Sequence, residues 1–368
     1  MRILYDHQVF SLQNAGGASR YHYELMRYLA SVPDVETEVF LGVNSTIYPF
    51  QNLNSARTAV LGLRAPLPRG MLCYMLNEAL ESGIALFRGK PDVYHPTYFR
   101  ALPLIRARRI VATHYDCTHE LFPQQFPDAR KVLRAKKVLF ESADMIVCIS
   151  AASRSYLREF YAIDAAKTRV VHLGLTHLPR CSDAAKKLRG QLRREYLLFV
   201  GARHFYKNFD GLLKAYRETR LHEEYDLLAL GGGPLTPQET AQIRHLELGD
   251  SVVPIPLASD AILAEAYANA KLFVFPSLSE GFGLPPLEAM AAGCPVVASN
   301  STSIPEVCQD AALYFDPQDQ NSFCEALIRG VNDDPARQEA IGRGSQVAAS
   351  YSWEKCGAET LALYRECQ

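Results

Sequence analysis

Two glutamates eight positions apart, Glu280 and Glu288, lie in the stretch of sequence best suited to chemistry. An apolar run at Leu272–Phe275 predicts a strand, and a helical pattern begins after the glycine-rich loop that carries Glu280. Glycines let a ligand approach the backbone, and free amides at a helix N-terminus, here near Gly283 and Leu284, bind phosphate. We therefore predict a diphosphate at this loop. The two carboxylates would hydrogen-bond hydroxyl-rich groups, a sugar and a ribose, on either side of it.

Two cations, Arg203 and Lys207, follow the predicted strand Tyr196–Val200 and precede a helix that begins near Asn208. The guanidinium is a fixed fork of donors and the ammonium is a mobile point charge. Both stabilise the phosphate charge that builds as a bond breaks. We expect these two side chains to neutralise a leaving nucleoside diphosphate.

Three polar side chains near a strand end in the first half of the chain are further candidates. His114, Asp116 and His119 lie at or beyond the end of the predicted strand Ile110–Thr113. A histidine at such a position is by default a packed structural residue. The residue types alone therefore assign a catalytic role to none of the three.

Strands and helices alternate along both halves of the chain, which predicts parallel sheets covered by helices on both faces. In the first half, strands are predicted at Ile3–Tyr5, Thr37–Leu41, Val93–His95, Ile110–Thr113, Met145–Ile149 and Val170–His172, with helices near Ser19–Ala30, Ala129–Phe140 and Ala151–Tyr161. In the second half, strands are predicted at Tyr196–Val200, Leu227–Leu230, Val252–Ile255, Leu272–Phe275 and Pro295–Ala298.

A polar stretch that contains a proline, Leu178–Asp183, separates the two halves and predicts a linker. We expect a first α/β domain over residues 1–178, a second over 179–350, and a C-terminal helix over 351–368. Two open sheets that face each other place a central ligand cleft between the carboxyl ends of their strands.

Charge is divided unevenly along the chain. Residues 1–178 carry 21 basic and 15 acidic side chains, whereas the remainder carries 18 basic and 25 acidic. An anionic partner would bind the basic half, and the basic clusters at residues 100–109 and 130–137 favour an anionic membrane surface. A solvated helix face explains these clusters equally well, so both interpretations stay open.

Several classes of protein and site are disfavoured by what the sequence lacks. The nine cysteines are scattered and form no Cys-x-x-Cys pair, which argues against a disulfide framework or a zinc site. There is no Asp-x-Asp pair to hold a divalent ion, so we expect a metal-independent site in which cations and helix amides stabilise the diphosphate. The Gly-x-Gly-x-x-Gly fingerprint of dinucleotide-dependent dehydrogenases is missing. No apolar run is long enough for a membrane span or a signal peptide, and we expect a cytoplasmic protein.

The string Ser-Glu-Gly-Phe-Gly-Leu-Pro-Pro-Leu-Glu-Ala-Met at residues 279–290 resembles the Glu-x7-Glu signature of retaining glycosyltransferases with the GT-B fold, and is typical of glycosyltransferase family 4. The resemblance implies that Glu280 contacts the donor sugar and Glu288 the ribose. It also implies that Arg203 and Lys207 contact the donor phosphates. The loop residues that the resemblance adds to the donor site are Gly281, Phe282, Gly283 and Leu284.

The segment Gly-Gly-Ala-Ser-Arg-Tyr at residues 16–21 resembles mannosyltransferase-like members of the family. It implies that Gly17 lies near the donor phosphates and that the donor is GDP-mannose. Many relatives have a His-Asp pair in the first domain, but here Tyr115 precedes Asp116. With Glu280, the catalytic candidates are therefore Asp116, His114 and His119.

The reaction that the resemblance implies is transfer of a hexose, mannose, with retention of configuration. The acceptor would be lipid-linked or an oligosaccharide, in biosynthesis of a cell-surface polysaccharide such as lipopolysaccharide, with the enzyme peripheral on the inner face of the plasma membrane. Two alternatives stay open, a GT-B enzyme that uses a UDP-sugar and a non-catalytic sugar-nucleotide-binding scaffold.

Overall fold

A computed structural model describes residues 1–53, 55, 57–64, 71–85, 89–100, 105–257 and 259–367. The chain forms two compact units. The first consists of Met1–Gly174 together with Ser352–Gln368, and the second is Leu175–Tyr351. In the described residues, no helix combines the length and the apolar character needed to cross a membrane.

The first unit is built on a parallel sheet with the strand order β3-β2-β1-β4-β5-β6-β7. Its described strands are β1 (Arg2–Tyr5), β2 (Glu36–Asn44), β3 (Thr58–Arg64), β4 (Val93–His95), β5 (Arg109–His114), β6 (Met145–Cys148) and β7 (Thr168–Val170). Its described helices are α1 (Gln8–Leu12), α2 (Gly17–Ala30), α3 (Met71–Ala85), α4 (Thr118–Leu121), α5 (Ala129–Ser142), α6 (Ala151–Tyr161) and the C-terminal helix Trp353–Glu366.

The core of the first unit contains buried polar side chains that bond to one another. The Tyr364 hydroxyl of the C-terminal helix lies 2.8 Å from the Tyr5 hydroxyl and 2.5 Å from His95 Nδ1. His95 Nε2 lies 2.7 Å from the Thr113 hydroxyl. These partners come from β1, β4, β5 and the C-terminal helix. The network therefore fixes that helix to the sheet, since an unpaired polar group in such a core is costly.

The second unit has a parallel sheet with the order β10-β9-β8-β11-β12-β13. Its described strands are β8 (Tyr196–Val200), β9 (Asp226–Leu230), β10 (Val252–Ile255), β11 (Leu272–Phe275), β12 (Val296–Ser299) and β13 (Ala312–Phe315). Its described helices are α7 (Ser182–Arg189), α8 (Phe209–Glu218), α9 (Pro237–His245), α10 (Asp260–Asn269), α11 (Leu284–Ala291), α12 (Ile304–Cys308), α13 (Gln320–Asn332) and α14 (Asp334–Ala349).

The central strands of the second sheet are buried along their whole length. Every residue of β8, β9, β11 and β12 is inaccessible to solvent or nearly so. Strands covered by helices on both faces are continuously apolar, which is why the sequence shows runs such as Leu-Phe-Val-Phe in β11. The loops that carry the predicted site leave the carboxyl ends of β8, β9 and β11.

Candidate donor site

The loop between β11 and α11 has a backbone shaped by its own hydrogen bonds. The Ser303 hydroxyl donates to the carbonyls of Glu280 and Phe282, both at 2.9 Å. The Glu280 amide donates to the Thr302 hydroxyl at 2.9 Å. Thr302 has a φ of 50°, and a β-branched residue in the left-handed region is strained. Such strain persists only where neighbouring structure holds it, and it lies here directly beside Glu280.

Gly283 stands at the N-cap of α11 with a φ of 117°, a conformation that favours glycine. A Cβ at this position would meet nothing closer than the Pro286 ring at 3.9 Å, so the backbone here is open to an approaching group. Leu284 is the first residue of the helix, and the amides of its first turn form an anion-binding end. Phe282 is buried and packs edge-on against Tyr351, so its ring supports the loop from inside.

Glu280 and Lys207 form an ion pair at the mouth of this loop. Lys207 Nζ donates to Glu280 Oε1 at 2.6 Å, and the two side chains are 17% and 14% exposed. The loops that carry them are also joined through the backbone, because the Leu278 amide donates to the Tyr206 carbonyl at 2.7 Å. The pair is accessible and can open to accept a ligand that offers phosphate to one side chain and hydroxyls to the other.

Arg203 donates more hydrogen bonds than Lys207 does. Its guanidinium bonds the Glu239 carboxylate at 2.7 Å, and its side chain is 3% exposed. It also donates to the carbonyls of Gly231, Gly232, Gly233 and Pro234 at 2.8 to 3.4 Å. Burial works to raise the pKa of Glu239, but the hydrogen bonds from Arg203 and Thr236, together with the charge of Arg203, hold that pKa below its ordinary value. Arg203 therefore organises the glycine-proline loop after β9.

Glu288 lies in the second turn of α11 and is buried. The Tyr267 hydroxyl, from α10, donates to Glu288 Oε2 at 3.2 Å. Tyr267 is itself fully buried and packs edge-on against Phe273 of β11. Neither Tyr267 nor Glu239 was predicted from the sequence, because each stands in an ordinary helical pattern. Their contacts with Glu288 and Arg203 in the structure link them to the candidate site.

In the first unit, Gly17 is the exposed first residue of α2. His114, the last residue of β5, is fully buried and its ring stacks on Phe140 with centroids 5.2 Å apart. Its Nε2 lies 3.3 Å from the Cys117 sulfur. Burial, helped by the nearby Lys136 ammonium, lowers the pKa of His114 to about 3. These surroundings are those of a packed neutral imidazole and disfavour contact with a substrate.

Asp116 and His119 share the Lys136 ammonium as a neighbour. Lys136, from α5, is buried and donates to the Asp116 carbonyl at 2.8 Å and to both Glu120 oxygens. Burial works to raise the pKa of the Asp116 carboxyl, but Lys136 and the Thr118 amide hold it below its ordinary value. Burial and then Lys136 lower the pKa of His119. At neutral pH these two positions of the first unit thus carry a carboxylate and a neutral imidazole, and the catalytic roles of both stay predictions.

The position before Asp116 is occupied by Tyr115, whose ring is buried. Its hydroxyl donates to the Thr97 carbonyl at 2.8 Å and lies 2.6 Å from His22 Nε2. With its proton committed to Thr97, the hydroxyl accepts the Nε2 proton of a neutral His22. Tyr115 thus has a structural role at the position before Asp116.

Among the described residues, one group has ligand atoms close enough to hold a metal ion, namely His7, Glu78 and Glu81. The Arg100 guanidinium already bonds Glu78 at 2.5 Å and Glu81 at 2.7 Å. Its positive charge therefore occupies the place that a cation would take.

Comparisons with known proteins identify the family of the chain. The family model "Glycosyltransferase Family 4" matches residues 15–177, and "Glycosyl transferases group 1" matches residues 183–347. The "O-antigen chain mannosyltransferase B" of Escherichia coli is 33% identical over 95% of this chain and 96% of its own length. The "O-antigen chain mannosyltransferase RfbU" of Salmonella typhimurium is 25% identical over 92% of each chain.

A solved structure shows the same fold along the whole chain. The sucrose-phosphate synthase of Thermosynechococcus elongatus superposes with a TM-score of 0.77 at 22% identity, and covers 99% of this chain and 98% of its own. Two parallel-sheet α/β units, the two family models and the identity over nearly the full length lead to one conclusion. The chain belongs to the glycosyltransferases of family 4 and has the GT-B fold.

Proposed function

We propose that this glycosyltransferase transfers mannose from GDP-mannose, with retention of configuration, to a lipid-linked or oligosaccharide acceptor in cell-surface polysaccharide biosynthesis. The choice of mannose and of an O-antigen-type product is supported by the two mannosyltransferase relatives that match over at least 92% of the chain. Retention is supported by the Glu-x7-Glu string at residues 279–290. We place the enzyme in the cytoplasm, at an anionic membrane surface where a lipid-linked acceptor is presented.

The observation that carries the proposal is the Lys207–Glu280 pair beside the amino end of α11. When a sugar diphosphate enters, its phosphates accept hydrogen bonds from Lys207 and from the α11 amides. Glu280 then no longer pairs with Lys207 and accepts hydrogen bonds from the sugar hydroxyls. Glu288 would accept from the ribose while Tyr267 holds its other oxygen. Arg203 supports the neighbouring loop from β9 and adds positive potential at the diphosphate.

This arrangement assists cleavage of the sugar–phosphate bond by stabilising charge on the leaving diphosphate. Lys207, Arg203 and the helix amides supply that stabilisation, so we expect no requirement for a divalent ion. The sequence identifies no carboxylate for a double displacement. We therefore propose attack on the face of the leaving group, assisted by a donor phosphate oxygen. Water must be excluded meanwhile, since an oxocarbenium-like centre would otherwise hydrolyse.

The test is a transfer reaction with GDP-mannose carrying ¹³C at C1 and a lipid fraction from O-polysaccharide-producing bacteria, in the presence of EDTA. We expect labelled mannose in the lipid product, with the α configuration of the donor by NMR. Glu280→Gln serves as the control of low activity. A β-linked product would overturn retention, and labelling only from UDP-sugars would overturn the donor. Donor binding without transfer to any acceptor fraction would favour the scaffold.

A further inference from the structure

Glu280 lies in a loop whose own residues do little to make it rigid. This loop, residues 276–283, is called the donor loop below, and it contains Gly281 and Gly283. Glycine gives the backbone more conformations than any other residue does. A side chain that acts on a reacting group must nevertheless be held within about 0.5 Å of its productive place. Contacts from outside the donor loop therefore have to supply the rigidity.

Those contacts come from residues 299–303, at the carboxyl end of β12. Strands β11 and β12 are parallel neighbours, with Phe275 opposite Ala298. The chain segments that leave their carboxyl ends therefore lie side by side. Three hydroxyls of the second segment bond the backbone of the donor loop. We call these hydroxyls, which belong to Ser299, Thr302 and Ser303, the hydroxyl clamp.

The hydroxyl clamp holds the donor loop at its start and on both sides of Glu280. Ser299 is fully buried and donates to the Ser277 carbonyl at 2.5 Å. The Glu280 amide donates to the Thr302 hydroxyl at 2.9 Å, and the fully buried Ser303 donates to the Glu280 carbonyl at 2.9 Å. Consecutive residues thus bond both polar groups of the Glu280 backbone. The side chain of Glu280 can then change partner while its Cα stays in place.

Thr302 has a backbone conformation that threonine adopts only at a cost in stability. Its φ is 50°, in the left-handed region that glycine occupies without strain. Strained residues persist where the surrounding structure holds them, and they cluster at functional sites. Glycine at this position would remove the strain, but it would also remove the hydroxyl that accepts from the Glu280 amide. The strain and the hydrogen bond together indicate that the hydroxyl is needed here.

We propose that Thr302 and Ser303 are positioning residues that act on sugar transfer through Glu280. The inference deepens the proposed function, and it rests on that function for the role of Glu280. The two hydroxyls hold the amide and the carbonyl of Glu280, and they thereby keep its carboxylate where the transferred sugar lies. Ser299 ties the start of the same loop to β12.

The test compares isosteric variants in the transfer reaction with GDP-mannose. Thr302→Val keeps the β-branched shape and its strain but leaves the Glu280 amide without its acceptor, and Ser303→Ala removes the bond to the Glu280 carbonyl. Each should lower kcat by about tenfold or more, since a misplacement of about 1 Å can cost about 10²-fold. The KM for GDP-mannose and the Kd for GDP should stay within about threefold of their values in the unchanged protein.

Two controls separate positioning from a general loss of stability. Thr302→Ser retains the hydroxyl and should keep kcat near that of the unchanged protein. Ser251→Ala removes a comparable bond at the opposite edge of the sheet, because Ser251 is buried just before β10 and donates to the Leu248 carbonyl at 2.5 Å. This control should leave kcat unchanged, whatever its effect on Tm.

A double-mutant cycle tests whether Ser303 acts through Glu280. In the Glu280→Gln background, Ser303→Ala should lower kcat by less than about twofold, because an interaction that is already lost cannot be lost again. A full loss in that background would overturn the inference. So would an unchanged kcat in both Thr302→Val and Ser303→Ala, a KM that rises as much as kcat falls, or an equal loss in Ser251→Ala.

Hydrogen exchange of the donor loop requires no ligand and separates this inference from the proposed function. Thr302→Val and Ser303→Ala should each speed amide exchange in residues 277–283 by about tenfold or more, and Ser251→Ala should not. Failure of the unchanged protein to bind or transfer mannose would sink the proposed function, while faster exchange in the two variants would leave the hydroxyl clamp standing. Unchanged exchange in both variants would overturn the clamp even if transfer is normal.

Discussion

At the scale of single residues, the candidate donor site contains two cations that differ in exposure and in number of partners. Lys207 is partly exposed and bonds one carboxylate, whereas Arg203 is nearly buried and bonds a carboxylate and four carbonyls. A flexible ammonium in a single ion pair can change partner easily. A guanidinium with so many partners holds a loop in place. The two side chains should therefore respond differently to removal.

We predict that Arg203→Met lowers the free energy of unfolding by about 2–4 kcal/mol, because Glu239 loses its ion pair and several carbonyls lose a hydrogen bond in a partly buried site. Lys207→Met should change it by less than about 1 kcal/mol, as expected for an accessible ion pair. Both variants should bind donor more weakly. Denaturant unfolding and calorimetry measure the two effects. Equal loss of stability in the two variants would refute the division of roles.

The two glutamates should also differ in their effect on catalysis. Glu288→Gln is expected to weaken donor binding by about tenfold or more, because a charge-assisted hydrogen bond is worth about 1.5–3 kcal/mol. Glu280→Gln is expected to lower kcat more than affinity, since its contacts with the sugar matter most as the bond breaks. Donor titrations and steady-state kinetics provide the comparison. If binding and turnover in both variants match those of the unchanged protein, the assignment of Glu280 and Glu288 is wrong.

At the scale of elements, the β11–loop–α11 unit was predictable, because its functional residues and the pattern of its strand, loop and helix lie in one continuous segment of the sequence. The predicted strand Leu272–Phe275 has the bounds of β11, and the helix begins beside Gly283 as expected. Strand β3 was not predicted, since Gly62 interrupts its pattern. Helix α3 was not predicted either. Its apolar residues point away from the core, so periodicity gives no sign of its packing.

Histidines in the buried core should make the first unit sensitive to acid. Burial lowers the pKa of His22 to about 3 and that of His95 well below its ordinary value of 6.5. A depressed histidine pKa means that the unfolded chain binds more protons, so stability is fully present above about pH 6.5 and falls as pH drops toward 3. Each group contributes a slope of up to about 1.4 kcal/mol per pH unit.

We therefore predict a lower free energy of unfolding at pH 5 than at pH 7, and a shallower dependence in His22→Gln. Glu81 acts in the opposite direction, because burial and Asp6 raise its pKa to about 7. The difference between variant and unchanged protein isolates the histidine contribution from Glu81. Denaturant unfolding at both pH values provides the measurement. Identical slopes with and without His22 would show that this imidazole is not the source.

At the scale of the whole molecule, sequence reasoning predicted the class of fold and the family, because two alternating α/β halves and one specific string are local features. The catalytic candidates in the first unit could not be assigned from the sequence in the same way. The sequence gives no reason to prefer His114 or His119 as the catalytic residue. In the structure, His114 stacks on Phe140 in the core, whereas His119 packs against Phe126 near the surface. That difference depends on burial, which spacing along the chain does not encode.

The central claim is that the chain binds a sugar nucleotide through Lys207, Glu280 and Glu288, with preference for GDP-mannose. The most direct test is thermal unfolding with GDP-mannose, UDP-glucose and ADP-glucose in EDTA, since a ligand of the folded state stabilises it by about 2.7 kcal/mol at 100 times its Kd. We predict that GDP-mannose alone raises Tm, and that Lys207→Met reduces the shift. A shift with UDP-glucose alone would contradict the assigned donor, and no shift with any of the three would contradict the site itself.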